Sequence, residues 1–374
     1  MSTRIEWTEE TWNPLRGCSM VSSGCTRCYA MGVAHRFSGP GQPYEGLTTP
    51  QGRWTGEVRL VPEKLEEPLR WRRPRRVFVN SMSDLFHPYV PDEYIAAVFG
   101  VMAAAPQHTF QVLTKRPERA RRWFAWAAQQ DPEPWTHCHY EALLRDGDDS
   151  AIHLRSGGDE SRRWPLRHVW IGVSVEDQAT ADARIPHLLA TPAAVRWVSA
   201  EPLLGPVRLH PYLPHPFNRE PHCPWCEDCI PSRPSLSRWK ETREDNHGPF
   251  VDWVVVGGES GPGARPFDLG WARDLLAQCG VAGVSAFFKQ AGRRPYERRR
   301  AEGAPQGTAH ALANIGVRQY HPQADWFGPD WTLVHDGEES WWYRYHKLKD
   351  KKGGDLGELP EDLRVREYPE VLGA

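Results

Sequence analysis

Short apolar runs recur along the chain and alternate with longer stretches of helical periodicity. Arg76-Val77-Phe78-Val79-Asn80, Thr109 to Leu113, His168 to Val173, Val195 to Ser199, Asp252 to Gly257 and Ser285 to Lys289 are rich in β-branched and aromatic residues. Each is predicted to be a strand. Helices are predicted over residues 91–105, 117–129, 176–190 and 268–279, between those runs. Near the start, residues 4–16 predict a short strand and turn, Tyr29 to Phe37 a helix, and residues 38–56 a loop rich in Gly, Pro and Thr. Apolar strands alternating with helices predict buried parallel strands in βαβ units.

An open doubly wound sheet and a βα barrel share this pattern. The strand ends separate them. Almost every run finishes in polar residues: Ser81, Ser83 and Asp84; Thr114, Lys115 and Arg116; Ser174 and Glu176; Glu201; Gly258, Glu259 and Ser260; Lys289. A barrel gathers all its strand ends at one mouth, whereas an open sheet uses only those at its switch point. The expectation is therefore an α/β fold with a partial or closed parallel βα (TIM-like) barrel over residues 1–292. Segments 130–166 and 208–250 interrupt it as insertions. A basic, tryptophan-rich insertion over 293–346 and a tail over 347–374, packing on the core, follow.

Composition narrows the class. The 374 residues carry 40% hydrophobic and 25% charged positions, as in globular proteins, and a net charge of −2 supplies no global field toward nucleic acid or membrane. No apolar run is long enough to span a bilayer and the N-terminus has no signal-peptide pattern, so a cytoplasmic location is expected. In that compartment the eight cysteines favour metal binding over disulfides.

Three cysteines, Cys18, Cys25 and Cys28, share the segment Gly17 to Ala30 in a C-x6-C-x2-C spacing. Thiolates suit zinc and iron–sulfur clusters. Three without a local fourth ligand read as a [4Fe–4S] cluster whose fourth iron is open to a small molecule. The alternative is a structural zinc completed by His35. Cys223, Cys226 and Cys229 form a second group, C-x2-C-x2-C, in the proline-rich insertion. A zinc, with His215, His222, His247 or Cys138 as fourth ligand, or an auxiliary iron–sulfur cluster would hold that segment together. Two basic runs interleaved with aromatic residues, Arg70 to Arg76 and Arg293 to Arg300, are candidate phosphate and base contacts.

The cysteine loop followed by a βα barrel resembles the radical S-adenosylmethionine superfamily. More narrowly, Thr11-Trp12-Asn13-Pro14, Gly24 to Ala30, Ser81 to Phe86, Leu113 to Pro117, Ser199 to Leu203 and Val256 to Gly261 are similar to a phage-associated three-cysteine-motif family of unknown function. The chain departs from the common superfamily motif: its first spacer is six residues rather than three, and Arg27 stands where an aromatic residue precedes the third cysteine. The resemblance implies a cluster on Cys18, Cys25 and Cys28, S-adenosylmethionine as cofactor and an electron donor as partner. It implies contacts to that cofactor from Ser81, Ser83 and Asp84 on its amino group, and from Ser174, Glu176 and Glu201 on ribose or adenine. Close backbone approach at Gly257, Gly258 and Ser260 completes the set. Lys115, Glu259 and Lys289 are the candidate catalytic groups, and the two lysines would draw an anionic substrate. The expected function is generation of a 5′-deoxyadenosyl radical acting on a nucleic acid or nucleotide, in modification or repair. The competing expectation is a zinc-stabilised nucleic-acid-binding protein without catalysis.

Overall fold

The computed structural model describes residues 3, 5–130, 164–214, 249–300, 331–336, 339–350, 352 and 354–369. The Cys223, Cys226 and Cys229 group and its candidate fourth ligands Cys138, His215, His222 and His247 lie outside these residues.

In chain order the strands are β1 (Glu10–Trp12), β2 (Leu15–Arg16), β3 (Arg59–Leu60), β4 (Arg76–Val79), β5 (Thr109–Thr114), β6 (Val169–Ser174) and β7 (Val195–Ala200). They continue with β8 (Trp253–Gly257), β9 (Phe267–Asp268), β10 (Ser285–Gln290), β11 (Pro295–Arg300), β12 (Trp331–Asp336) and β13 (Glu339–Tyr345). The helices are α1 (Tyr29–Arg36), α2 (Asp92–Ala104), α3 (Pro117–Ala127), α4 (Gln178–Leu189) and α5 (Leu269–Ala282). The expected strands and helices thus form within three residues of their predicted bounds, the largest difference being the helix predicted to end at 279, which runs to Ala282. Local chemistry sets several ends. Asp177 and Thr180 close a capping box on α4; Asp268 caps α5, and Gly283, at φ +66°, ends it in the left-handed conformation.

Seven strands form one parallel sheet in the order β1-β4-β5-β6-β7-β8-β10. Spatial order follows chain order throughout, so there is no switch point of the kind an open doubly wound sheet has. The sheet curls into a half-barrel, compatible with a TIM-like fold. Its convex face is covered by α2 to α5 and carries the main core, including Val77, Val79, Phe110, Val112, Val173, Val198 and Val256.

The strand period of two sends the alternate residues to the concave face. There Trp7, Phe78, Trp170, Trp197, Trp253 and Phe287 form a separate aromatic cluster, with Trp7–Trp197 centroids 5.2 Å apart and Trp197–Trp253 5.3 Å. Gly172 makes room for it: a Cβ at that position would overlap the Trp197 indole. Four of the eighteen tryptophans are thereby assigned to a floor inside the half-barrel. The tail adds to it. Tyr368 stacks near Trp253 and Phe287, and backbone bonds from Phe288 to Val365 and from Glu367 to Ala286 fasten residues 365–367 beside β10.

A second sheet runs β12-β13-β11-β9, joined to the core through the parallel β9–β11 pair. Part of the expected basic insertion is therefore regular β structure. Arg298 there is held by Asp268 at 2.8 Å, and Glu297 by Arg273 at 2.7 Å.

A candidate cluster and cofactor site at the mouth of the half-barrel

Parallel strands place all their C-terminal ends on one side of the sheet. A cavity of about 280 Å³ opens there. Its walls come from the cysteine loop, the strand ends and the glycine loop after β8. Cys18, Cys25 and Cys28 line it, as do Ser81, Ser83, Asp84, Lys115, Ser174, Glu201, Gly258, Glu259, Ser260 and Lys289. Glu176 and Gly257 stand just behind the wall.

The cysteine loop owes its course to specific contacts. Gly17, at φ +88°, passes so close to the Glu57 carbonyl that no side chain fits. Asn13 receives Met82 N–H at 3.0 Å and Ser83 donates its hydroxyl to Leu15 O at 3.0 Å, which ties the loop after β4 to the segment before Cys18. A short 3-10 turn at Ser23–Cys25 and the start of α1 at Tyr29 then present Cys25 and Cys28.

Three carboxylates predicted at the site clamp this loop. Asp84 is buried and takes four protein donors: the Thr114 hydroxyl at 2.8 Å, Phe86 N–H at 3.0 Å, Lys115 N–H at 3.1 Å and Arg116 Nη1 at 2.8 Å. Arg116 in turn donates to Ser19 O at 2.9 Å and Ser19 Oγ at 2.8 Å, and reaches Cys18 Sγ at 3.8 Å. Glu176, fully buried, accepts from Ser22 Oγ at 2.9 Å and Arg184 Nη1 at 3.0 Å, and pairs with Lys115. A side chain at Gly24 would run into its carboxylate. Glu259 grips Arg265, whose Nη2 donates to Ser23 O at 3.1 Å. In this arrangement Asp84, Glu176, Glu259 and Lys115 are engaged by protein partners, and they fix Ser19, Ser22 and Ser23 between the three thiols.

Lys289 and Glu201 face the cavity as an ion pair at 3.0 Å, and Ser199 donates to the other Glu201 oxygen at 3.2 Å. Asn80 and Ser199 also line the cavity and are not among the residues predicted there; Arg116 and Gln290, from the polar ends of β5 and β10, line it as well. Period-two counting back from Glu201 reaches Ser199, and forward from Phe78 reaches Asn80; that signal was present in the sequence.

Cys18 and Cys28 sit in a setting that opposes their ionisation. Burial, reinforced by Asp84, pushes the Cys18 thiol up to about 12, against the Arg116 guanidinium that lowers it. Burial raises Cys28 as well. The thiols also feel one another: Cys28 raises Cys18, and Cys25 raises Cys28. Among the described residues no three His, Cys, Asp or Glu side chains converge on a common point as one metal ion requires. His35, the fourth ligand of the zinc alternative, is exposed, within 3.4 Å of Thr48 Oγ1, and is not part of the cavity wall. A cubane asks for a different arrangement: one thiolate on each of three irons, hence a wider triangle, with soft sulfur donors and no fourth protein ligand. Three thiols on one loop at one cavity wall meet that donor requirement.

Ser19, half-buried on the cavity wall, and the buried His87 are in contact at 2.8 Å. This is not a nucleophile–base pair. His87 Nδ1 accepts Tyr89 N–H at 3.3 Å, so Nε2 carries the proton and donates to Ser19 Oγ. The Arg70–Arg76 run leads into the N-terminal end of β4 and so lies at the opposite end of the sheet from the cavity. Three of its arginines are paired, Arg70 with Glu66 at 2.8 Å, Arg75 with Glu10 at 2.7 Å, and Arg76 with Glu9 at 3.5 Å and the Tyr368 ring at 4.1 Å.

No curated protein and no solved structure matches this chain. Residues 2–325 match the model of the family described as Protein of unknown function (DUF5131). The match spans all seven strands of the half-barrel and the whole cysteine loop, and the chain belongs to that family.

Proposed function

We propose that the chain is a radical S-adenosylmethionine enzyme whose cluster is held by Cys18, Cys25 and Cys28. One observation carries the reading: three thiols from a single loop share one cavity with the polar ends of six parallel strands, β4, β5, β6, β7, β8 and β10. Cys18, Cys25 and Cys28 would hold a [4Fe–4S] cluster, and with S-adenosylmethionine bound that cluster would supply the electron for reductive cleavage to methionine and a 5′-deoxyadenosyl radical able to take a hydrogen atom from the substrate.

The chain's own residues would do the rest. Asp84, Glu176 and Glu259 hold the cysteine loop in register with the strand ends. Arg116 sets a positive charge beside the Cys18 sulfur, which favours its thiolate. The aromatic floor closes the cavity from below and keeps bulk water from that side. Glu201 and Lys289 offer a carboxylate and an ammonium to polar groups of a bound ligand. Ser81 and Ser83 lie on the cavity wall beside the cysteine loop, the Ser81 hydroxyl shared with Asn13 and that of Ser83 donated to Leu15 O. The substrate proposed is a nucleotide or nucleic acid, and a one-electron donor is required as partner.

The test is 5′-deoxyadenosine formation by anaerobically reconstituted protein given dithionite and S-adenosylmethionine. Product from the wild type, and none from the Cys25→Ala variant, supports the reading. A reconstituted chain that holds iron but yields no 5′-deoxyadenosine is a non-catalytic iron–sulfur protein on this scaffold. A chain that takes up zinc alone is the zinc-stabilised binding protein.

A further inference from the structure

Asn80 stands apart from the other polar residues of the cavity. It is the residue after β4, two positions beyond Phe78 of the aromatic floor, and it is buried at 2% exposure. Its backbone is at φ +61°, the only left-handed non-glycine residue among those described. Asparagine tolerates that conformation better than most residues, so the turn alone could account for it. The turn does not account for the side chain. Neither Oδ1 nor Nδ2 has a protein partner, although the residue lines the cavity. Buried carboxamides are as a rule hydrogen-bonded, and those that are not call for an explanation. The carboxylates Asp84, Glu176 and Glu259 at neighbouring strand ends have by contrast been committed to the cysteine loop.

The surroundings define what would satisfy it. Ile5, Trp7, Phe78 and Leu113 also line the cavity, so an apolar wall accompanies the carboxamide. A carboxamide offers one donor and one acceptor side by side. Its full complement is an acceptor and a donor in the same spacing on a flat, otherwise apolar body. An amide or amidine edge of a nucleobase has that form, and asparagine pairs with such edges in two-bond fashion.

We infer that Asn80 is a base-recognition residue, reading the amide or amidine edge of a nucleobase held in the cavity. This rests on the reading of the cavity as a ligand site given above. The base belongs either to the adenine of the cofactor or to a substrate nucleoside, and the test separates the two.

The experiment is titration of the full chain, as purified and after anaerobic reconstitution, with two pairs of nucleosides. Adenosine is compared with purine riboside, which lacks the amino group. Thymidine is compared with N3-methylthymidine, whose imide edge is blocked. Binding is read by calorimetry and by quenching of tryptophan fluorescence, Trp7 being at the cavity wall. The variants are Asn80→Gly and Asn80→Asp. Both accept the left-handed backbone, and unchanged melting temperatures confirm that they fold. In the wild type the intact edge is expected to bind at least tenfold more tightly than its blocked partner in one pair, and both variants are expected to erase that preference. Preference within the adenosine pair assigns Asn80 to cofactor adenine; preference within the thymidine pair assigns it to a substrate base. The inference is overturned if neither pair shows a preference, if nothing binds, or if both variants retain the wild-type preference. Iron content and 5′-deoxyadenosine are measured on the same samples. An edge preference without iron keeps this inference and removes the enzyme reading. Iron and 5′-deoxyadenosine without any edge preference do the reverse.

Discussion

Glu176 shows how much of the site's order rests on single residues. Its carboxylate is fully buried and receives a lysine, an arginine and a serine hydroxyl from three different segments. Removing one side of a buried charge arrangement leaves its partners uncompensated, which costs about 3–5 kcal/mol. Glu176→Gln is therefore expected to lower stability by that order in urea denaturation, and to weaken cluster retention because Ser22 and Gly24 lose their support. An effect below about 1 kcal/mol would show that the clamp is not what orders the loop. His87 makes a pH prediction. Burial, assisted by the Arg116 charge, lowers its pKa from 6.5 to about 4. The folded chain thus keeps His87 neutral while the unfolded chain protonates it. Between pH 6.5 and 4 the unfolded state binds the extra proton, so this contribution to stability is full above 6.5 and is lost as pH falls through that window. The loss is on the order of 3 kcal/mol at its limit. Urea midpoints measured from pH 7.5 to 4.5 are expected to fall more steeply in the wild type than in His87→Gln. At this scale the sequence was half legible. Strand-end position announced Asp84, Glu176, Glu201 and Lys289, but not which of them meet protein partners. That depends on Arg116, Arg184 and Arg265, whose reach into the loop is set by the fold and leaves no mark in local spacing.

The strands and helices were the most legible part, because buried parallel strands are continuous apolar runs. The concave floor was harder to see. Its members alternate with convex-face residues, so Trp170, Trp197 and Trp253 become one cluster only when the register between β6, β7 and β8 is known. Gly172 is the element-scale test of that packing. It lies next in register to Trp197, and an added methyl would overlap the indole. Overpacking of this kind costs about 1–3 kcal/mol. Gly172→Ala is expected to shift the urea midpoint down and to change the near-ultraviolet circular dichroism of the tryptophans, while leaving far-ultraviolet helix content intact. An unchanged tryptophan signal would contradict the described contact. The strand β11 was illegible for a different reason. Its charged residues satisfy no apolar period; Glu297 and Arg298 are paired with charges from α5, β9 and β13 instead of being buried among hydrocarbons.

On the scale of the whole molecule, the half-barrel divides into a dry aromatic end and a polar, cysteine-bearing mouth. The topology explains the division. Sequential parallel strands send every N-terminus one way and every C-terminus the other, so chemistry gathers at one end and packing at the other. The same geometry moves the Arg70–Arg76 run away from the site. Any nucleic acid bound there would not be positioned by the cavity. Neutralising Arg72 and Arg73, which are exposed, is accordingly expected to leave ligand binding at the mouth unchanged. The central claim is that the mouth holds an iron–sulfur cluster on one loop. Its most direct test is the iron and acid-labile sulfide content of anaerobically reconstituted protein, compared between the wild type and the Cys18→Ala/Cys25→Ala/Cys28→Ala variant. The comparison cancels any metal carried by the Cys223, Cys226 and Cys229 group. The account predicts a difference of about four irons and about four sulfides per chain. Equal iron and sulfide in the two proteins, with the variant shown to be folded, would contradict it.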